Sequence, residues 1–138
     1  MAETAGRNGK LVLVAMIFAC GLTFIDQTIV SIAVPELQKD LGLSSTGVQW
    51  VVNGYLLALA ALFAFGGRIS DIVGHRTMLI IGVVIFTVAS ALCGATPEGE
   101  LAEAWIITFR VIEGAGAALL FPAALAIVIA SFPVGQRG

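Results

Sequence analysis

The chain has 138 residues, of which 59% are hydrophobic and 12% are charged, and its formal net charge is −2. A soluble domain averages about 45–50% apolar and about 25% charged residues, so this composition excludes an ordinary soluble protein. The apolar residues fall into blocks of the length that crosses a bilayer as a helix, about 20 residues. The sequence therefore predicts an all-α, polytopic membrane protein with four transmembrane helices at about 11–34, 48–66, 78–96 and 104–131.

The first of these runs follows a polar segment, residues 1–10, which is predicted to be a disordered cytoplasmic tail. A secretory signal peptide is disfavoured, because Asp26 interrupts the run and no A-x-A-like cleavage site follows it. Pro35 is expected to end the first helix, since proline has no backbone N–H to continue the hydrogen-bond ladder. Three hydroxyl residues before the second run are candidates for its N-cap: Ser44, Ser45 and Thr46.

The second and third runs are joined by the charged segment Gly67–Arg76, which is predicted to be a tight turn at the membrane surface. An acidic loop, residues 97–103, separates the third run from the fourth. The fourth run contains Pro122, which is expected to kink its helix, as membrane helices tolerate. Residues 11–138 are therefore interpreted as one membrane domain.

Basic residues near the ends of the spans predict the orientation, because they favour the cytoplasmic side. With four spans, one side holds five basic residues and the other side only Lys39. Both ends of the segment are thus predicted to be cytoplasmic in the cell (inner) membrane, with Trp50 and Trp105 at the outer interface. The five basic residues are Arg7, Lys10, Arg68, Arg76 and Arg137.

Three ionisable residues lie within the predicted spans: Asp26, Arg110 and Glu113. At 1.5 Å per residue, Asp26 and Arg110 lie about 12 Å and about 9 Å from the outer ends of their helices. Arg110 and Glu113 are three residues apart and share a helix face. Charges within a bilayer normally face a partner or a cavity. Two interpretations therefore remain open: a network that fixes helix packing, or a water-accessible path on which a carboxylate binds and releases a proton.

Several uncharged polar residues suit a wet interior, although each alone is weak support: Gln27, Thr28, Ser31, Asn53 and Tyr55. Small residues in the fourth run permit close helix approach, above all the small-xxx-small pair Gly114 and Ala118 with Gly116 between them. Gly114-Ala115-Gly116 is not a dinucleotide fingerprint, since it lacks the third glycine and lies inside an apolar run. Cys20, Cys93 and His75 form no metal-ligand spacing, so no metal is predicted. Neither a catalytic arrangement nor a basic nucleic-acid surface is visible, and no enzyme is predicted.

Three motifs resemble the major facilitator superfamily. Gly67–Arg76 is similar to the family's pattern G-x-L-a-D-r-x-G-r-r between helices 2 and 3, with matches at Gly67, Asp71, Gly74 and Arg76 and departures at Ile72 and His75. Arg110–Ala118 resembles the helix 4 pattern R-x-x-q-G-x-g-a-A, with Glu113 in place of the commoner Gln. Asp26–Pro35 resembles the helix 1 pattern D-x-T-i-v-n-v-A-l-P of the fourteen-span drug/proton antiporters.

This resemblance implies an alternating-access transporter that couples proton entry to export of hydrophobic, often cationic, compounds, as in multidrug efflux. Asp26, Arg110 and Glu113 would lie on the proton and substrate path. The segment containing Gly67, Arg68, Asp71, Gly74 and Arg76 would act as a cytoplasmic gating loop, with Asp71 near a helix N-terminus or paired with Arg76. The resemblance implies no cofactor, because the proton gradient supplies the energy.

Four spans are only a fraction of such a transporter, which is built from repeated bundles. The chain is therefore interpreted as an N-terminal fragment whose partners are the lipid bilayer, a small-molecule substrate, protons and the remaining helices. Two alternatives stay open: a self-contained four-helix exporter that acts as a dimer, and a non-transporting scaffold.

Overall fold

Four long helices make up the structure, a computed structural model that describes the backbone of residues 2–131. They are α1 (Ala2–Asp40), α2 (Ser45–Val73), α3 (His75–Gly94) and α4 (Ala102–Ser131). Each is long and apolar enough to cross a membrane, and the described residues contain no strand. The predicted all-α membrane fold with four transmembrane helices is confirmed. The C-terminal stub, with Arg137, lies outside the described residues.

Helix α1 is longer at both ends than predicted, with 39 residues. Residues 2–10 are helical rather than a disordered tail, since no proline interrupts the backbone ladder before Pro35. Pro35 lies inside the helix rather than ending it. Proline removes only one backbone donor, and the residues that follow restore the ladder up to Asp40. Glu36 and Lys39 form an exposed ion pair at 3.9 Å in this last part.

The connection between α2 and α3 is a single residue, Gly74, and not the predicted ten-residue turn. Residues 67–73 continue α2 by two further turns, and the chain reverses where Gly74 adopts φ 104° and ψ 133°. Only glycine adopts such a backbone readily. Charged side chains indicate where a helix reaches the membrane surface, because they require water or a partner. They do not end the helix, which continues until Gly74 interrupts it.

The other two connections lie together at the opposite end of the bundle, residues 41–44 and 95–101. Ser44 is the N-cap of α2, and its hydroxyl accepts a hydrogen bond from Gly47 N at 2.9 Å. Helix α3 starts and ends slightly earlier than predicted, and α4 starts two residues earlier, at Ala102. Glu103 therefore belongs to α4 rather than to a loop, and its carboxylate accepts from Ser44 N at 2.8 Å. This contact joins the N-termini of α2 and α4.

Helix α4 lies at the centre of the packing, with extensive contacts to α2 and α3 and fewer to α1. Its buried face is rich in small residues, so that neighbouring backbones approach closely. A Cβ on Gly114 would clash with the Tyr55 carbonyl of α2, and one on Gly116 would lie 2.8 Å from Phe86 N of α3. Ala118 is fully buried, and a Cβ added to Gly66 would clash with its carbonyl oxygen.

Pro122 lies inside α4, where it is half-buried next to Gly67. A Cβ on Gly67 would lie at an ordinary 3.7 Å from Pro122 Cβ. Helix α1, in contrast, leaves most of its apolar side chains exposed. Asp26 and Gln27 of α1 form hydrogen bonds with Arg110 of α4.

Candidate functional site

Arg110 lies in the first half of α4 and is almost completely buried, with a relative exposure of 1%. Its Nη1 donates to Asp26 Oδ2 at 2.7 Å and to Glu113 Oε2 at 2.6 Å. Glu113 is one turn further along the same helix, whereas Asp26 comes from α1, 84 positions away in sequence. A buried cation of this kind requires paired acceptors, and two carboxylates supply them. We call Asp26, Arg110 and Glu113 the charge cluster.

The remaining donors of the guanidinium bind uncharged acceptors. Nη2 donates to Gln27 Oε1 at 2.6 Å, and Nε donates to the Val51 carbonyl of α2 at 3.2 Å. The Arg110 Cζ atom also lies 4.5 Å from the centre of the Tyr55 ring, a cation–π contact. Arg110 thus binds side chains or backbone of α1, α2 and α4 at one point, which fixes the depth of α1 relative to the other two helices.

The two carboxylates of the charge cluster have different surroundings. The Asp26 side chain is 19% exposed and lines a groove of about 400 Å³ between α1 and α3. Glu113 has no exposed surface, and its Oε1 has no hydrogen-bond partner among the described residues. Cys93 Sγ of α3 lies 4.0 Å from its other oxygen. Of the two acids, Asp26 has direct access to an open space.

The charge cluster contains one cation and two acids, so it carries a net charge of −1 when both acids are ionised. Binding of one proton, or approach of one cationic group, makes it neutral. A buried uncompensated charge is costly, so the arrangement is chemically suited to accept a single positive charge.

Two separate grooves lie beside α1, and each is lined by one of the α1 side chains that bind Arg110. On the α3 side, Asp26 lines the groove together with Leu22, Ser90 and neighbouring residues. On the α2 side, Gln27 lines a separate cleft of about 270 Å³ with Phe24 and Tyr55. The same guanidinium binds both Asp26 and Gln27, so one side chain connects the two spaces.

Other polar residues that the sequence singled out lie away from the charge cluster. Thr28 and Ser31 donate to carbonyl oxygens of their own helix, at 2.9 Å and 2.8 Å. Asn53 is exposed and lines a surface depression formed by α2. Of the five polar residues, the structure brings only Gln27 and Tyr55 to Arg110.

The segment Gly67–Arg76 lies at the end of the bundle opposite the two longer connections. Arg68, Asp71 and Arg76 are exposed. Asp71 Oδ1 lies 3.9 Å from His75 Nε2, at the first residue of α3, so of the two expected arrangements it is near a helix N-terminus rather than paired with Arg76. Asp71 and His75 are four residues apart across the Gly74 break, which brings their side chains together. His75 Nδ1 is also hydrogen-bonded to Ser70 Oγ at 2.7 Å.

The sequence did not predict two contacts, one within the charge cluster and one that joins the helices carrying it. The Val51 carbonyl has no sequence signal, because any residue supplies one. Glu103 was assigned to an acidic loop, although serine at the start of α2 and glutamate in the first turn of α4 offered complementary capping partners. Its Oε1 also accepts from Ser44 Oγ at 3.1 Å.

Comparison with known proteins identifies the family to which the chain belongs. A family model described as "Major Facilitator Superfamily" matches residues 16–138. The chain is 35% identical to the methylenomycin A resistance protein of Bacillus subtilis over 94% of its length, which is 27% of that protein. It is 38% identical to the cephamycin export protein CmcT of Amycolatopsis lactamdurans over 99% of its length, and 28% of that protein.

A third relative is the tetracenomycin C resistance and export protein of Streptomyces glaucescens, with 41% identity over 90% of the chain and 22% of that protein. The chain therefore spans about a quarter of the length of the curated relatives it matches. The matched region includes all three motifs and the whole charge cluster. Four apolar helices, the buried ion cluster and this match together establish that the chain belongs to the Major Facilitator Superfamily.

Proposed function

We propose that the chain forms the first four spans of a longer transporter, which exports hydrophobic or cationic small molecules in exchange for protons. The observation that carries this proposal is the buried charge cluster, in which two acids share one guanidinium. Its surplus negative charge suits a proton or a cationic substrate group in turn. The printed names of the three relatives denote antibiotic resistance or export, which supports export of a drug-like compound.

In this proposal Asp26 exchanges protons through the groove between α1 and α3, because it is the partly exposed acid of the charge cluster. Arg110 holds the deprotonated carboxylate, and Glu113 supplies a second acceptor when Asp26 is protonated. Arg110 then always has an acidic partner, so protonation of Asp26 does not leave a buried cation alone. The proton gradient drives the cycle, and no cofactor takes part.

The segment Gly67–Arg76 would act as a gating loop at the cytoplasmic face of the cell (inner) membrane. Its exposed Arg68, Asp71 and Arg76 are free to meet the remaining helices of the transporter. Gly67 lies next to Pro122 of α4, and the chain reverses between α2 and α3 at Gly74. The basic residues that flank the spans support placing this segment on the cytoplasmic side.

The experiment is an efflux assay with the full-length gene in a bacterial host that lacks its own major drug exporters. Cells loaded with ethidium, a hydrophobic cation, should lose it several-fold faster when the transporter is present. Addition of a protonophore should abolish the difference. Efflux that survives the protonophore but stops when ATP is depleted would overturn the proton coupling. Export itself would be overturned if cells with and without the gene lost ethidium, and each of a panel of neutral drugs, at the same rate.

A further inference from the structure

Tyr55 of α2 borders the charge cluster and is almost completely buried, with a relative exposure of 2%. Arg110 Cζ lies over the face of its ring, 4.5 Å from the ring centre. The ring packs in an apolar cluster with Phe86 of α3 and Ala117 of α4. The Tyr55 backbone is held as well, because a Cβ on Gly114 of α4 would clash with its carbonyl. Three helices therefore fix the position of the ring relative to the guanidinium.

The ring face attracts the guanidinium in a different way from the hydrogen-bond acceptors around it. An aromatic face is the negative part of the ring quadrupole, and it attracts a cation placed over it. This contact coexists with the four hydrogen bonds that Arg110 donates. The attraction is stronger at a desolvated site than at an exposed one. Tyr55 thus stabilises the Arg110 cation without taking a hydrogen bond from either acid.

The acids that face the guanidinium change charge when they bind a proton, whereas the ring face does not. Asp26 comes from α1 and Glu113 from α4, and both accept from Nη1. Helix α3 contributes Cys93, whose Sγ lies 4.0 Å from Glu113 Oε2. When Asp26 takes up a proton, Arg110 loses one of its two charged partners. The contact with the Tyr55 ring stays the same in both states.

We propose that Tyr55 is a positioning residue of the charge cluster, whose ring face keeps the Arg110 guanidinium beside Asp26 while that carboxyl group carries the proton. The inference rests on the proposed function, in which Asp26 exchanges protons. Without the ring face, the guanidinium could shift toward Glu113 as soon as Asp26 is protonated. Such a shift would lower the free energy of the protonated form alone, so Asp26 would keep its proton up to a more alkaline pH.

The test measures proton release from the full-length transporter, purified in detergent, when tetraphenylphosphonium is added. This hydrophobic cation should displace the proton, and a pH-indicator dye in weakly buffered solution measures the release. Release should disappear as the pH rises, because Asp26 is then already deprotonated. The pH at which release is half-maximal therefore reports the proton occupancy of the charge cluster, whereas a loss of folded protein lowers only the amplitude.

Two variants at position 55 separate the ring from its hydroxyl group. Tyr55→Phe keeps the ring face and should leave the half-maximal pH unchanged. Tyr55→Leu removes the ring and should raise the half-maximal pH by about half a unit to one unit, as expected for the loss of one buried cation–π contact. An unchanged half-maximal pH in Tyr55→Leu would overturn the positioning role of Tyr55.

A change in ring electronics tests the same point without loss of packing. Replacement of Tyr55 by trifluorophenylalanine preserves the ring but weakens the negative charge of its face, so it should raise the half-maximal pH relative to Tyr55→Phe. Equal values for these two rings would also overturn the proposal. Leu120→Ala is the packing control, since it removes a buried side chain further along α4. A shift in this control as large as in Tyr55→Leu would mean that lost packing is sufficient.

The same assay distinguishes this inference from the proposed function. Absence of proton release from the native transporter at every pH would overturn the proposed proton exchange, and the role of Tyr55 with it. Release that persists unchanged in Asp26→Asn would overturn the assignment to Asp26. Normal release in the native protein that is lost in Asp26→Asn, with no shift in either Tyr55→Leu or the fluorinated variant, would overturn only the role of Tyr55.

Discussion

At the scale of single residues, Arg110 is the residue that holds the charge cluster together. Its guanidinium donates four hydrogen bonds and contacts the face of one aromatic ring. A cation buried in this way is stable only while its acidic partners are present. The reverse also holds, because Asp26 and Glu113 face each other across the same nitrogen and would be left without a counter-ion if Arg110 were removed.

Arg110→Ala should therefore destabilise the transporter by about 3–5 kcal/mol, the cost of breaking a buried ion pair from one side. Adding Glu113→Gln to this variant should recover part of the loss, since it removes one of the two orphaned charges. Thermal unfolding of the full-length protein in detergent measures both effects. Glu98→Ala, at an exposed position in the connection between α3 and α4, is the control and should stay within about 0.5 kcal/mol of the native protein.

A double variant as unstable as Arg110→Ala alone would contradict this account of the charge cluster. It would mean that lost packing around the Arg110 side chain, rather than unbalanced charge, determines the stability.

Part of this site could be predicted from the sequence. Counting residues from the span ends put Asp26 and Arg110 at similar depth, and the structure brings them into direct contact. The contact of Gln27 could not be predicted, because counting gives depth in the membrane but not the rotation of α1 about its own axis. The Val51 carbonyl was beyond prediction for a different reason: backbone groups do not differ between residue types.

At the scale of elements, the ends of the helices are the features that the sequence predicted least well. The charged residues that begin at Arg68 predict an end of α2 near residue 66, but α2 continues to Val73. Charged side chains require water or a partner, whereas a helix ends where the backbone ladder is interrupted. Gly74 interrupts it with a positive φ, and Pro35 does not interrupt α1 at all.

The two glycines of the segment Gly67–Arg76 should therefore respond differently to substitution. Gly74→Ala forces a side chain into a backbone conformation that costs about 1–3 kcal/mol. Gly67→Ala adds a methyl group at an ordinary 3.7 Å from Pro122 Cβ, within a regular helix, and should be neutral or slightly stabilising. Thermal unfolding of the two variants of the full-length protein compares them directly.

Equal destabilisation by the two alanines would contradict this distinction. It would indicate that close packing at Gly67, in contact with helices beyond this segment, matters as much as the backbone at Gly74.

At the scale of the whole molecule, α4 is the packed centre of the described helices. Helix α1 lies at their edge, attached through the charge cluster and through apolar contacts such as that of Phe24 with Phe121. Small residues let α2 and α3 approach α4 closely, at Gly114 and Gly116 respectively. Helix α1 keeps large apolar side chains exposed along most of its length, including Phe18, Ile25 and Ile32. This uneven packing fits the proposal that further helices of a longer transporter cover α1.

The orientation of the bundle can be measured by labelling single cysteines in the full-length protein, in a background where every native cysteine, including Cys20 and Cys93, is replaced by serine. Glu98→Cys lies in the connection before α4, and Arg76→Cys lies at the opposite end. A membrane-impermeant maleimide should label the first in intact cells and the second only after permeabilisation. The opposite pattern would mean that the ends of the segment are extracellular.

The most direct measurement on the charge cluster compares driven and downhill transport of ethidium in proteoliposomes that contain the full-length transporter with Asp26→Asn. Asp40→Asn, at an exposed position near the end of α1, is the control. If Asp26 exchanges the proton, Asp26→Asn should still equilibrate ethidium down its gradient, but an imposed pH gradient should no longer drive its accumulation. Accumulation driven by the pH gradient to the same level as in the native protein and in Asp40→Asn would contradict the assignment of proton coupling to this carboxylate.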